Sequence, residues 1–200
     1  GVLYVVEGTT AGDTLMLGTT TIPINAWTHI AITRAQGGNL VQYINGVATN
    51  TFSTQNRSLK TSTEPLYIGY QAGQSTNFTG SIDQVRMFTK ELSSTEVSTL
   101  YAETACVYTS TTDNNDYPVT NAAYYKLDNN AEDAKGNYDG TATNVNYEFG
   151  RFGQAAVFNG SSSYITANKS MFGTGDGVAN LWSISLWFKT DGSVTASRTL

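Results

Sequence analysis

Three aspartates crowd one short loop: Asp128, Asp133 and Asp139 in DNNAEDAKGNYDG, residues 128–140. Carboxylate oxygens are hard ligands, and a loop that carries several of them suits calcium. The spacing is not that of an EF-hand, and aspartates also form turns by bonding their own backbone. Both readings stand on the sequence alone. A second kind of chemistry needs aromatic rings as platforms on which sugar rings stack. Tyr70, Tyr108, Tyr117, Tyr138 and Tyr147 lie in or beside loops, and of these Tyr70, Tyr138 and Tyr147 are the candidate glycan contacts. Trp27, Trp182 and Trp187 read as packing residues of a core or an edge.

Catalytic groups are harder to assemble. A retaining glycosidase needs two carboxyl groups about 5 Å apart, which on a strand means alternate positions. Glu7, Glu64, Glu91, Glu96, Glu103, Glu132 and Glu148 are scattered instead, and no E-x-D-x-E run exists. His29 has no Ser or Cys partner in a motif, and no G-x-S-x-G elbow occurs. One histidine and one cysteine, Cys106, cannot build the usual zinc site, and one cysteine makes no intrachain disulfide.

Composition narrows the classes further. The chain has 200 residues, with 11 basic against 16 acidic side chains and a net charge of −5. No Lys/Arg cluster is present to neutralise phosphates, so nucleic acid is not an expected partner. No apolar run approaches the roughly 18 residues of a membrane helix, so membrane insertion is not expected. Residues 1–20 lack the basic start and long apolar core of a signal peptide, and the chain reads as beginning on a strand. Thr, Ser, Asn and Gly are abundant, a composition that suits an exposed all-β protein outside the cytosol. The sequons at Asn56 and Asn77 carry meaning only in a eukaryotic secretory protein.

The elements that would position these groups are mostly strands. Ile30 and Ile32 alternate with Ala31 and Thr33, Gly37-Gly38 turns the chain, Leu40 to Ile44 returns, and Asn45-Gly46 turns it again. Asn-Gly between apolar runs is the strongest short hairpin signal. Val2 to Val6, Thr14 to Leu17, Pro65 to Tyr70 and Tyr124 to Leu127 are further strands, and two more flank Asn159-Gly160. Phe78 to Phe88 suits a strand with a bulge or a changing face. Leu181 to Lys189 alternates cleanly, with Ile184, Leu186 and Phe188 on one face and Ser183, Ser185 and Trp187 on the other. One helix is expected between Lys90 and Glu103. Ser93 and Glu96 fit a capping box, and Leu92 and Val97 a hydrophobic staple. Ser53–Glu64 reads as a loop, and the Thr/Asn/Asp-rich stretch after Thr104 as a connection.

Three stretches together resemble the laminin-G-like, concanavalin A-like lectin/glucanase jelly roll. They are W-x-H-I-A-x-T-R…L-x-x-Y-I-N-G-V at 27–47, F-x-G-x-I-D-x-V-R-x-F…L-S-x-x-E-V at 78–97, and Y-Y-K-L-D…G-R-F-G-Q-A-x-x-F-N-G-S…W-S-I-S-L-W-F-K at 124–189. The resemblance implies an all-β jelly-roll sandwich with one short helix. The order of its parts is inverted. Residues 1–105 look like the closing half of such a domain, 106–120 like a linker, and 121–200 like the opening half, together one domain equivalent. The chain is then a window across two tandem repeats, a circular permutant, or a subunit completed by a neighbouring copy in a filament.

In jelly rolls of this kind the first and last strands are neighbours, so the resemblance brings Asp83 towards Asp128 and adds it to the calcium candidates. Similar repeats occur in structural and fibre-type proteins of tailed phages and in large bacterial surface proteins. The implied role is a non-catalytic structural or adhesion module of an extracellular or virion-surface fibre or particle. Its expected partners are neighbouring copies of the same protein and cell-surface glycans. The alternative is a carbohydrate-binding module attached to a glycan-active enzyme, and a third reading is a glycosidase with an unrecognised carboxylate pair.

Overall fold

Asn45 and Gly46 take φ of 50° and 78°, the paired positive values that a type I′ turn requires. They join β4 (Asn39–Ile44) to β5 (Val47–Ser53). A Cβ on Gly46 would also lie 3.0 Å from the Tyr101 ring, so a side chain there would press on Tyr101 as well as strain the backbone. The computed structural model describes residues 1–9, 12–35, 37–54, 65–70, 77–104, 122–167 and 181–192. The 106–120 linker, with Cys106, Tyr108 and Tyr117, lies outside the described residues, as do most of the Ser53–Glu64 loop and Thr199-Leu200.

β3 (Thr28–Arg34) pairs with β4 on one side and with β13 (Trp182–Lys189) on the other. β13 pairs in turn with β7 (Thr79–Phe88). The sheet continues through β11 (Gln154–Asn159) to β10 (Asn146–Phe149), and β8 (Ala123–Tyr125) also pairs with β7. The order of this antiparallel eight-stranded sheet is β10-β11-β7-β13-β3-β4-β5, with β8 off the path. Two smaller sheets complete the description. One is the hairpin of β1 (Val2–Thr9) and β2 (Gly12–Thr21). The other is β6-β12-β9, from Leu66–Ile68, Tyr164–Ala167 and Thr141–Thr143.

The alternation seen in β13 has its physical cause in the layers. Leu186 and Phe188, with Ile184 packed against them, join Ile30, Ile44, Ile82 and Phe158 in the main apolar core. Ile68, Ile165 and Ala167 of the small sheet and Leu3 of the hairpin meet them there, so the small sheets cover one face of the large one. Each buried Leu, Ile or Phe among them contributes about 1.5–3 kcal/mol by leaving water. The opposite face carries Ala31, Tyr43 and Phe88, packed under Leu92, Val97 and Leu100 at the helix.

That helix, α1, spans Ser94–Tyr101, shorter than the 90–103 stretch that suggested it. Ser93 and Glu96 close the capping box from both sides, which fixes the start. β7 has the expected bulge. Its register with β13 shifts between Ser185 and Trp187, opposite Gln84, whose φ is 55°. The extra residue lets Ile82 and Val85 both face the core while Asp83 and Arg86 face away. β9 and β10, in the D-G-T-A-T-N-V-N-Y-E-F stretch, were not expected as strands.

Candidate functional site

The aspartates singled out for calcium divide into two sets, each holding a loop. Asp83 is buried, and its Oδ2 accepts from the Phe152 amide at 2.9 Å while Oδ1 accepts from Gln84 Nε2 at 3.1 Å. Asp128 Oδ1 accepts from the Gln154 amide at 2.7 Å. These two carboxylates thus grip the 150–154 turn, where a Cβ on Gly150 or Gly153 would lie 2.6 or 2.4 Å from an aspartate oxygen. Burial, with a smaller push from Asp128, raises the Asp83 carboxyl to about 7. Asp133 is the hub of the second set. Its Oδ1 takes the amides of Tyr124 and Lys135, its Oδ2 those of Asn137 and Tyr138, and its own amide donates to Asp139 Oδ1 at 3.0 Å. Among the described residues, no three His, Cys, Asp or Glu side chains converge as a metal-binding group.

His29, on β3, points to the helix-covered face. Its Nε2 lies 2.8 Å from Ser185 Oγ on β13, and its ring packs on Trp187 at 5.3 Å. Nδ1 is buried with no hydrogen-bond partner among the described residues. Burial, and then the positive charge of Arg86, lowers the imidazole to about 3. A serine beside a histidine is the start of a nucleophile–base pair, but a base also needs an orienting carboxylate and a pKa near its working pH. His29 has neither.

The tyrosines fare differently from one another. Tyr138 is half-buried and packs against the core, its carbonyl accepting from the Tyr125 hydroxyl at 2.7 Å. Tyr147 also packs against the core, and its hydroxyl is buried without a partner among the described residues. Tyr70 instead belongs to a cluster at the small sheet. Its ring centroid lies 5.1 Å from that of Tyr67 and 5.5 Å from that of Tyr164, and Tyr67 and Tyr164 are 6.1 Å apart. All three are half-exposed.

Tyr67 and Tyr164 were not among the expected contacts. The signal for them is the two-residue period. Tyr67 stands between Leu66 and Ile68, and Tyr164 precedes Ile165, so both rings face away from the core that holds Ile68 and Ile165. Thr166 pairs with Tyr67 and with Thr141, and Tyr164 pairs with Thr143, which places these threonines on the same outer face. No residue of β6, β9 or β12 is charged.

A family model described as Concanavalin A-like lectin/glucanases superfamily, of the laminin G type, matches residues 2–98. Over those residues the chain is similar to that superfamily. The concanavalin A-like region therefore runs from β1 into α1, and the antiparallel sandwich with its one short helix, among the described residues, is of the concanavalin A-like kind. Laminin G-like domains are generally non-catalytic binding modules, of a carbohydrate-binding or adhesion type. No curated protein and no solved structure matches the chain.

Proposed function

We propose that this protein is a non-catalytic recognition module that binds glycans as part of an adhesive or structural surface protein, extracellular or on a virion. The superfamily match carries the reading, because it supplies a fold used for binding. Three features of the site support it. The carboxylates that chemistry would need accept bonds from backbone amides. The one histidine is held neutral and lacks a carboxylate on Nδ1. Half-exposed tyrosines gather on one outer face of the sandwich.

We also infer that 1–105 and 121–200 form one domain equivalent, with 106–120 as the connection. The support is the central place of β13, bonded along its length to β3 and β7 of the other segment. A screen of the full chain against an array of immobilised glycans tests the functional reading. Saturable binding with no release of reducing ends is the expected result. Steady turnover of a β-glucan overturns it, and so does an array on which no glycan is bound.

A further inference from the structure

The outer face of the β6-β12-β9 sheet has features that the core does not require. Its inner side chains, Ile68, Ile165 and Ala167, already supply the packing. Outside, Tyr67, Tyr70 and Tyr164 lean on one another with interplanar angles of 64°, 38° and 69°, so each ring is braced by the other two. Rings braced in this way lose little conformational freedom when a ligand arrives, and that is where binding energy is usually lost. Tyrosine also offers a large apolar ring and a hydroxyl on only two rotatable side-chain bonds. Around the rings the register sets Thr141, Thr143 and Thr166, each ending in a hydroxyl and a methyl.

We propose that this face binds an uncharged saccharide, with the three tyrosines as stacking surfaces and the threonine hydroxyls as hydrogen-bonding neighbours. The assignment rests on the glycan-binding reading above and gives it a location and a ligand class. A sugar ring has apolar C–H faces and a belt of hydroxyls, and this surface offers the counterpart of both. A uronate or sulfated glycan calls for Lys or Arg to meet its anions. None is present in β6, β9 or β12. A protein partner is the poorer match, because protein interfaces set a polar rim around an apolar centre, and this face interleaves hydroxyls with its rings instead.

The test uses the full chain in calorimetric titrations with neutral oligosaccharides and, in parallel, sulfated and uronate-containing ones. The variants are Tyr67→Ala with Tyr164→Ala, and Thr166→Glu, which puts a charge on the face without opening a cavity. Circular dichroism and melting confirm that each variant is folded. The expected result is binding of neutral members only, weakened at least tenfold in the double variant and severalfold in Thr166→Glu. Neutral binding unchanged within twofold in both variants overturns the location and leaves the glycan-binding reading standing. Preference for sulfated or uronate glycans overturns the ligand class. Binding of no glycan by the unaltered chain removes both.

Discussion

Two sheet faces in this protein look away from the main core, and they are finished in opposite ways. The outer face of the eight-stranded sheet is buried, and beside the apolar cluster under α1 it carries a polar network. Arg86 on β7 makes two bonds to Glu103, at 2.7 and 3.0 Å, and its guanidinium lies 4.2 Å from the centre of the Tyr124 ring. Tyr124 in turn donates to Gln84. Ser183 on β13 accepts from the Leu92 amide and donates to the Lys90 carbonyl, both at 2.9 Å, just before α1. The outer face of the β6-β12-β9 sheet has neutral rings and hydroxyls and only half-buries them. Chemistry-rich side chains therefore gather where the structure is fastened. The face proposed for glycan binding is chemically plain.

The largest expected effect tests the fastened face. Arg86→Met leaves Glu103 buried without its cation, and the loss should be about 3–5 kcal/mol, read as a fall in the denaturant midpoint. Adding Glu103→Leu should return most of it. Truncating Tyr67 should cost about 1 kcal/mol, because a half-exposed ring gives up only part of a burial term. Equal losses at the two positions would erase the contrast between the faces.

A middle-sized effect is expected from pH. The Asp83 carboxyl sits at about 7 against an ordinary 3.8, so the folded protein holds its proton more tightly than the unfolded chain. Its contribution is complete below about 3.8 and is lost as pH rises towards 7. His29 runs the other way. Lowered from 6.5 to about 3, it contributes stability that is complete above 6.5 and lost as pH falls. The two oppose each other between those limits. Removing one by Asp83→Asn should leave a melting temperature that climbs with pH from about 4 to 6.5, more steeply than in the unaltered protein. An identical slope in both would show that Asp83 is not buried as described.

The smallest expected effect is from metal. Asp83, Asp128, Asp133 and Asp139 accept backbone amides in two separate sets. Saturating calcium after EDTA should leave the melting temperature where it was. A clear rise would assign a calcium site to one of these loops, since a ligand of the folded state alone must stabilise it.

What the sequence made legible follows the range of the interaction. The Asn45-Gly46 turn, the Ser93–Glu96 capping box and the alternation of Ile184, Leu186 and Phe188 are local patterns, and each has its counterpart in the structure. The bulge at Gln84 was legible as a break in the period of β7. The Tyr67–Tyr164 contact was not, because it joins residues 97 positions apart through the pairing of β6 with β12. Tyrosines in loops pointed to Tyr70, while the two rings that pack with it stand on strands. The partners of the aspartates were hidden for the same reason. Their type and local spacing were visible, while the amides of Phe152 and Gln154 that occupy Asp83 and Asp128 come from a distant turn.

Native-state hydrogen exchange across β13 tests most directly whether the polar face fastens both segments into one unit. Strands in the centre of a cooperative unit exchange only through its global opening. The amides of Ser183 to Lys189 are expected to match those of β3 and β7 in protection, and Arg86→Met should lower all three sets together. Fast exchange through β13 while β3 and β4 stay protected would contradict the account.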